Sequence, residues 1–299
     1  MLNLFGVIGP VVTTFGARDE SLDLDAFATN LRAYAAAGLS GVVVCGSTGE
    51  AALLDEAERR SLIERARAEL PSDALLIVGT GAESTRQCVQ RCQVAAEHGA
   101  HAVLVVAPHY YSSTMTSAAL DAHYRRVADE SPLPVLLYNI PKYMHFALEP
   151  DLVARLAMHE NIVGMKDSAG DLKRLEGYLQ SQGESFTVLT GHGGTFHQAL
   201  QLGARGGILA VSLFAAELTL DVYQRHLAGD SDEADESQRA ITPLAAEIVG
   251  RMGVAGVKAA MDRVGLAGGP VRLPLLPLGV EDSARVDALL RDARVTTAV

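Results

Sequence analysis

Short apolar, β-branched runs of strand length recur along the chain, separated by longer stretches in which apolar residues return every three to four positions. The runs cover residues 7–13, 41–45, 74–78, 102–107, 134–138, 162–166, 187–190 and 207–211. They are apolar on both faces, which predicts strands of a parallel sheet covered on each side. Between them, helical periodicity with acidic or hydroxyl residues at its start predicts helices such as 25–37, 55–70 and 84–98. Gly38, Gly99 and Gly203 fall where C-caps are expected. Eight strand-and-helix units in alternation predict a closed (β/α)8 TIM barrel. An open doubly wound sheet is the alternative, but no glycine-rich dinucleotide fingerprint opens any of the helices.

After residue 211 no further strand is predicted. Helical periodicity dominates 217–227, 230–251, 254–264 and 281–292, with a Gly/Pro-rich link over 265–278. The expected organisation is an α/β barrel domain over 1–229 and a C-terminal helical extension over 230–299 packed on it.

Composition adds exclusions. The 299 residues match one barrel with an extension, and 48% hydrophobic content supplies a large core. A net charge of −11 with no basic stripe argues against nucleic acid as a partner. No apolar run approaches the ~20 residues of a membrane span, and the N-terminal stretch lacks the basic start of a signal peptide. Three cysteines without CxxC spacing predict neither a disulfide framework nor a metal site, and point to a reducing, cytoplasmic compartment. Cys88 and Cys92 share a helix face and are read as packing residues.

Candidate chemistry lies at the strand ends, where a parallel barrel gathers its reactive groups. Of four lysines (Lys142, Lys166, Lys173 and Lys258), three are read in polar or helix-surface settings. Lys166 instead ends an apolar strand-length run. An ammonium partly removed from water is destabilised relative to the neutral amine, and the neutral amine is a nucleophile toward carbonyls. Strand 2 ends in Gly46-Ser47-Thr48-Gly49-Glu50, a turn whose consecutive amides and two hydroxyls suit a carboxylate. Tyr138 ends strand 5, beside Lys166 in the expected strand order, where its phenol can move protons.

Taken in order, GSTGE (46–50), PHYY (108–111), YNIP (138–141) and GMKDS (164–168) resemble the pyruvate-dependent Schiff-base aldolases and lyases of the dihydrodipicolinate synthase and N-acetylneuraminate lyase superfamily. The resemblance runs from Gly9-Pro10 to about Leu290. It implies a barrel with a C-terminal helical extension, assembled as a homotetramer of two tight dimers. Lys166 then matches the lysine that forms an imine with pyruvate, so that no cofactor beyond this covalent imine is needed. Tyr138 matches the proton-shuttling tyrosine, Ser47 its relay hydroxyl and Thr48, with Gly49 in the same turn, the carboxylate binder. Tyr110 matches a tyrosine that in many members reaches into a neighbouring subunit's site.

The second substrate is an aldehyde. Synthases of the superfamily carry an arginine after the YNxP turn, and here Tyr143 stands at that position, preceded by Lys142. Neuraminate lyases carry an acidic pair after strand 7, where this chain has Gly191-His192-Gly193-Gly194. The stretches around PHYY and GMKDS look more like 4-hydroxy-2-oxoglutarate and 2-keto-3-deoxy sugar acid aldolases. The expected activity is therefore cleavage or formation of a 4-hydroxy-2-oxoacid. Condensation of pyruvate with aspartate semialdehyde is the alternative, and a non-catalytic oxoacid-binding barrel a second one. Candidates for the aldehyde side are Lys142, Tyr143, His145, Ser168 and His192.

Overall fold

The computed structural model describes residues 2 and 4–298. Among them, eight strands pair in chain order: β1 (Gly6–Pro10), β2 (Gly41–Val44), β3 (Leu75–Gly79), β4 (Ala102–Val106), β5 (Val135–Asn139), β6 (Ile162–Asp167), β7 (Thr187–Thr190) and β8 (Gly206–Ile208). Every pairing is parallel and β1 closes on β8, so the chain forms the expected TIM barrel. The helices that cover it are α1 (Leu24–Ala37), α2 (Glu56–Glu69), α3 (Thr85–Glu97), α4 (Ser117–Glu130), the short α5 (Pro141–Met144), α6 (Pro150–Leu156), α7 (Leu172–Leu179), α8 (Phe196–Gln201) and α9 (Ala216–Ala228).

Local sequence explains where several of these helices start and stop. Asp23, Ser84, Thr116 and Asp171 each accept an otherwise orphaned amide of the first turn, and Asp55 with Glu58 completes a reciprocal capping box. Gly38 ends α1 in the left-handed conformation. Two strands end earlier than expected. Beyond Pro10 the Thr13 hydroxyl donates instead to the Gly49 carbonyl across the barrel end. Beyond Ile208 the chain tightens into a 3-10 turn, Ala210–Leu213, held by Ser212 donating to the Leu209 carbonyl.

One irregularity sets the geometry of the barrel end. Between β5 and β6 the register slips by one residue: Val135 faces Ile162, but Leu136 faces Gly164, leaving Val163 unpaired in a β-bulge. Without that extra residue Tyr138 would lie beside Met165, on the opposite face from the lysine. With it, Tyr138 pairs with Lys166 and Asn139 with Asp167. Gly164 is required next to the bulge, since a Cβ there would lie 2.5 Å from the Thr187 carbonyl oxygen.

Beyond α9 the chain continues as α10 (Ser231–Pro243), a π-helical segment (Leu244–Arg251), α11 (Gly253–Arg263) and α12 (Val280–Asp292). The single expected helix over 230–251 changes pitch at Pro243, whose ring and missing N–H disfavour the i−4 bond. This layer packs on the 3-10 turns after β7 and β8, so it borders the C-terminal end of the barrel. Among the described residues no helix is long and apolar enough to cross a membrane.

Candidate active site

Lys166 and Tyr138 stand side by side at the ends of β6 and β5, 5% and 4% exposed. The lysine Nζ donates to the Tyr138 hydroxyl at 3.4 Å and lies 4.5 Å from the centre of its ring. Ser47, in the turn after β2, donates to the same hydroxyl at 3.5 Å. Amine, phenol and serine therefore form one chain of polar contacts. The distances are long for hydrogen bonds, as expected of acid–base groups that tighten around a bound substrate.

The Gly46–Glu50 turn is built by its own backbone. The Gly49 amide donates to the Gly46 carbonyl at 3.0 Å and the Glu50 amide to the Ser47 carbonyl at 3.2 Å. Those two amides are thus spent on the turn. The Ser47 and Thr48 amides find no acceptor among the described residues, which leaves two adjacent amide donors and the Thr48 hydroxyl for an anion, the Ser47 hydroxyl being engaged with Tyr138.

Gly191, after β7, shows how tightly the lysine is surrounded. A Cβ at this position would lie 2.6 Å from Lys166 Cε and 2.0 Å from Ser168 Oγ. Glycine is required there by close approach, which the sequence reading missed. Ser168 thus shares the lysine's surroundings. His192 turns elsewhere: its ring packs on Gly170, Nδ1 contacts Thr195 Oγ1 at 3.0 Å, and burial pushes its pKa down, favouring the neutral ring. Beneath the reacting pair, Asn139 donates to Asp167 at 2.7 Å and accepts the Leu148 amide at 2.9 Å, tying the two strand ends together. Burial pushes the Asp167 carboxyl up, and the Asn139 bond only partly offsets this.

A cavity of about 790 Å³ opens beside this cluster, lined by Ser47, Tyr138, Lys142, Tyr143 and His145 among others. The cavity wall and then the neighbouring Tyr138 push the Tyr143 phenol up, so it stays neutral. Lys142 donates to the Gly250 carbonyl at 2.7 Å, which ties the YNIP turn to the π-helical segment and occupies one of the ammonium's protons. Thr48, Gly49, Lys166, Ser168 and His192 belong to the same barrel end without lining the cavity wall. Tyr110 takes no part in these contacts. It is 75% exposed and packs edge-on against Tyr111, on a loop whose His109 and Tyr110 amides donate to Glu83.

One reading of the lysines is corrected. Lys258 does not lie on a helix surface: it is 1% exposed and paired with the equally buried Glu50. The signal was available, because Val257, Lys258 and Met261 fall on one apolar face of α11. Among the described residues no cluster of three or more His, Cys, Asp or Glu side chains could hold a metal ion.

Comparison with known proteins gives the family. The Dihydrodipicolinate synthetase family model matches residues 3–293. A 4-hydroxy-tetrahydrodipicolinate synthase of Methanothrix thermoacetophila is 34% identical over 95% of both chains. A DapA-like lyase of Halobacterium salinarum is 37% identical over 97% of this chain and 94% of its own. Among solved structures, a dihydrodipicolinate synthase from Acinetobacter baumannii, complexed with pyruvate, superposes with a TM-score of 0.93 at 29% identity, covering 98% of this chain and all of that one. A barrel end that sets a buried lysine and tyrosine, with a partly buried serine, beside a free pair of amides is what such chemistry needs, and the chain belongs to the dihydrodipicolinate synthetase family of carbon–carbon lyases that work through a lysine–pyruvate imine.

Proposed function

We propose that Lys166 carries the imine and that the protein cleaves or forms a 4-hydroxy-2-oxoacid. The observation that carries this is the bulged register that sets Tyr138 against Lys166, with Ser47 in line behind the phenol. In the cleavage direction the amine of Lys166 adds to the C2 carbonyl and water leaves, giving a protonated imine. Tyr138 takes the proton of the C4 hydroxyl as it hands its own to Ser47, whose hydroxyl proton passes to water in the cavity. The C3–C4 bond then breaks, its electron pair moving into a C2–C3 double bond while the imine becomes an amine, and the aldehyde departs. C3 regains a proton and water releases pyruvate. Throughout, the Ser47 and Thr48 amides hold the carboxylate, with the Gly49 turn shaping them, and Ser168 borders the lysine.

Tyr143 decides between aldehydes in this reading. It is neutral where an arginine would grip the carboxylate of aspartate semialdehyde, which favours cleavage of a 4-hydroxy-2-oxoacid. The second reading is condensation of pyruvate with aspartate semialdehyde. The relatives that bear a synthase name support it more than they support the first, and Lys142 is a cation on the cavity wall. Assembly as a homotetramer goes with either, supported by the exposed Tyr110 and Tyr111, and a cytoplasmic setting by three buried free thiols. Incubation with pyruvate and borohydride tests the shared step: one reduced pyruvyl adduct per chain, mapped to Lys166, is expected. An adduct on Lys142, Lys173 or Lys258 refutes the assignment. Comparing kcat/KM for cleavage of 4-hydroxy-2-oxoglutarate with that for condensation decides between the two readings.

A further inference from the structure

Glu50 ends the turn that carries Ser47 and Thr48 and lines the same cavity, yet its carboxylate is paired with Lys258 and not with the Lys166–Tyr138–Ser47 cluster. Its Oε1 lies 2.5 Å from Lys258 Nζ, with side-chain exposures of 0% and 1%. The ion pair thereby joins the barrel-end turn to α11. Around it, Glu50 Oε2 accepts the Arg272 amide at 2.9 Å, and Lys258 also donates to the Pro270 carbonyl at 2.6 Å. Both cations sit over the Phe15 ring, Lys258 Nζ at 4.6 Å and Arg272 Cζ at 4.1 Å from its centre. The Arg272 guanidinium is itself held by Glu58 and by the Leu53 carbonyl.

Two features separate this pair from an ordinary fastening. Apolar side chains of similar volume would fill the same space without burying two charges, so stability alone does not call for an ion pair. Glu50 is also a non-glycine residue in the left-handed region, at φ 55° and ψ 35°, a conformation that persists where the surroundings enforce it. The opposite side of the turn is held as well, by Thr13 donating to the Gly49 carbonyl at 2.7 Å. The two free amides immediately precede these anchors in the same turn.

We propose that Glu50 and Lys258 are positioning residues for the carboxylate cradle: their buried pair, anchored in α11 and the 265–278 link, holds the turn so that the Ser47 and Thr48 amides face the pyruvate carboxylate. The inference rests on reading that turn as the carboxylate binder. A specific charge pair fixes the direction of the turn, whereas an apolar contact leaves it free to pivot. The C-terminal layer therefore shapes the site through its hold on the turn rather than through the Lys166–Tyr138–Ser47 cluster.

The test uses the intact protein and two ketones, pyruvate and pyruvamide, which share the reacting carbonyl and differ in the carboxylate. For each, the concentration giving half-maximal borohydride trapping is measured. The Glu50→Gln, Lys258→Met double variant leaves no unpaired buried charge. It is expected to need ~10- to 100-fold more pyruvate, as for a misplaced binding group, with pyruvamide unchanged and the trapping rate at saturation within about threefold. Glu50→Gln alone, which keeps an acceptor for the Arg272 amide, is expected to shift in the same direction and serves if the double variant does not fold. A folded variant that keeps the wild-type preference, or that loses both ketones equally, overturns the proposal while leaving the cradle intact. A wild-type protein that traps both ketones equally well removes the cradle itself, and the proposal with it.

Discussion

Gly191→Ala tests the crowding around Lys166 with one methyl group. The φ angle at Gly191 lies outside the left-handed region, so alanine fits the backbone and the effect is confined to the new Cβ. That Cβ would stand 2.6 Å from Lys166 Cε, whereas ordinary contact begins at 3.4 Å. Lys166 Cε would have to retreat by the difference, about 0.8 Å. Ser168 Oγ, at 2.0 Å, escapes by rotating about its own Cα–Cβ bond. Displacing a reacting atom by ~1 Å costs ~100-fold in rate, or about 2.7 kcal/mol of barrier, and overpacking costs ~1–3 kcal/mol of stability. Pyruvate release coupled to lactate dehydrogenase measures the first and thermal unfolding the second. Gly183→Ala is the control, because a Cβ there meets nothing within 4 Å. A folded Gly191→Ala protein with kcat/KM within about threefold of wild type would show that the lysine does not work from this position, and the reasoning from the close contact would fail.

Three further outcomes are expected. Tyr138→Phe should still form the borohydride-trapped adduct but lose ~100- to 10,000-fold in turnover, and unchanged turnover removes the phenol from the mechanism. Tyr143→Arg should shift the ratio of condensation to cleavage toward condensation by ~30- to 1,000-fold, the worth of a bidentate charge-assisted contact, as measured by competing kcat/KM values; an unmoved ratio means position 143 does not meet the aldehyde. His123, buried with Nδ1 2.8 Å from Thr85 Oγ1, has its pKa pushed down from 6.5 to about 4 by burial. Because the folded pKa lies below the unfolded one, the unfolded chain takes up the proton first, and stability held above pH 6.5 is lost as the pH falls toward 4. Between pH 7 and 4.5 this site should cost about 2 to 3 kcal/mol, read as the extra loss in urea unfolding of wild type over His123→Gln; equal losses refute it.

The barrel was legible because its strands are buried on both faces and its helices carry their own start signals, so two periodicities alternate without interference. The ends of β1 and β8 were not, since an apolar run continues past each and only a tertiary bond, such as Thr13 to Gly49, shows that the ladder has stopped. Ser47, Tyr138 and Lys166 were legible as strand-end groups, but their mutual geometry was not. It depends on the unpaired Val163, and a one-residue slip between strands leaves no trace in either strand's own pattern. Lys258 was misread because a single charge on a helix is ordinarily solvated. Its partner Glu50 lies in another domain-length segment of sequence, joined to it only by the fold. Gly191 escaped for a related reason: the side chains that exclude a Cβ come from the end of β6 and the residue after it, not from its own neighbours.

The two halves of the site have different structural origins, and this bears on what can vary among relatives. The groups proposed to act on pyruvate come from β5, β6 and the turn after β2, and the relation of Tyr138 to Lys166 depends on strand register. A change there breaks ladder bonds in the barrel wall. The groups proposed to meet the aldehyde, Lys142, Tyr143 and His145, sit on the single short turn α5 and its cap, with Lys142 tied to Gly250 in the π-helical segment. Residues on that turn can be exchanged at the cost of a surface hydrogen bond or a change in cavity lining, without moving Tyr138 or Lys166. Relatives 34–37% identical over nearly the whole chain can therefore keep the same imine chemistry and accept different aldehydes. If Lys142, Tyr143 and His145 meet the aldehyde as proposed, a test of substrate belongs at the cavity wall they line rather than at the lysine.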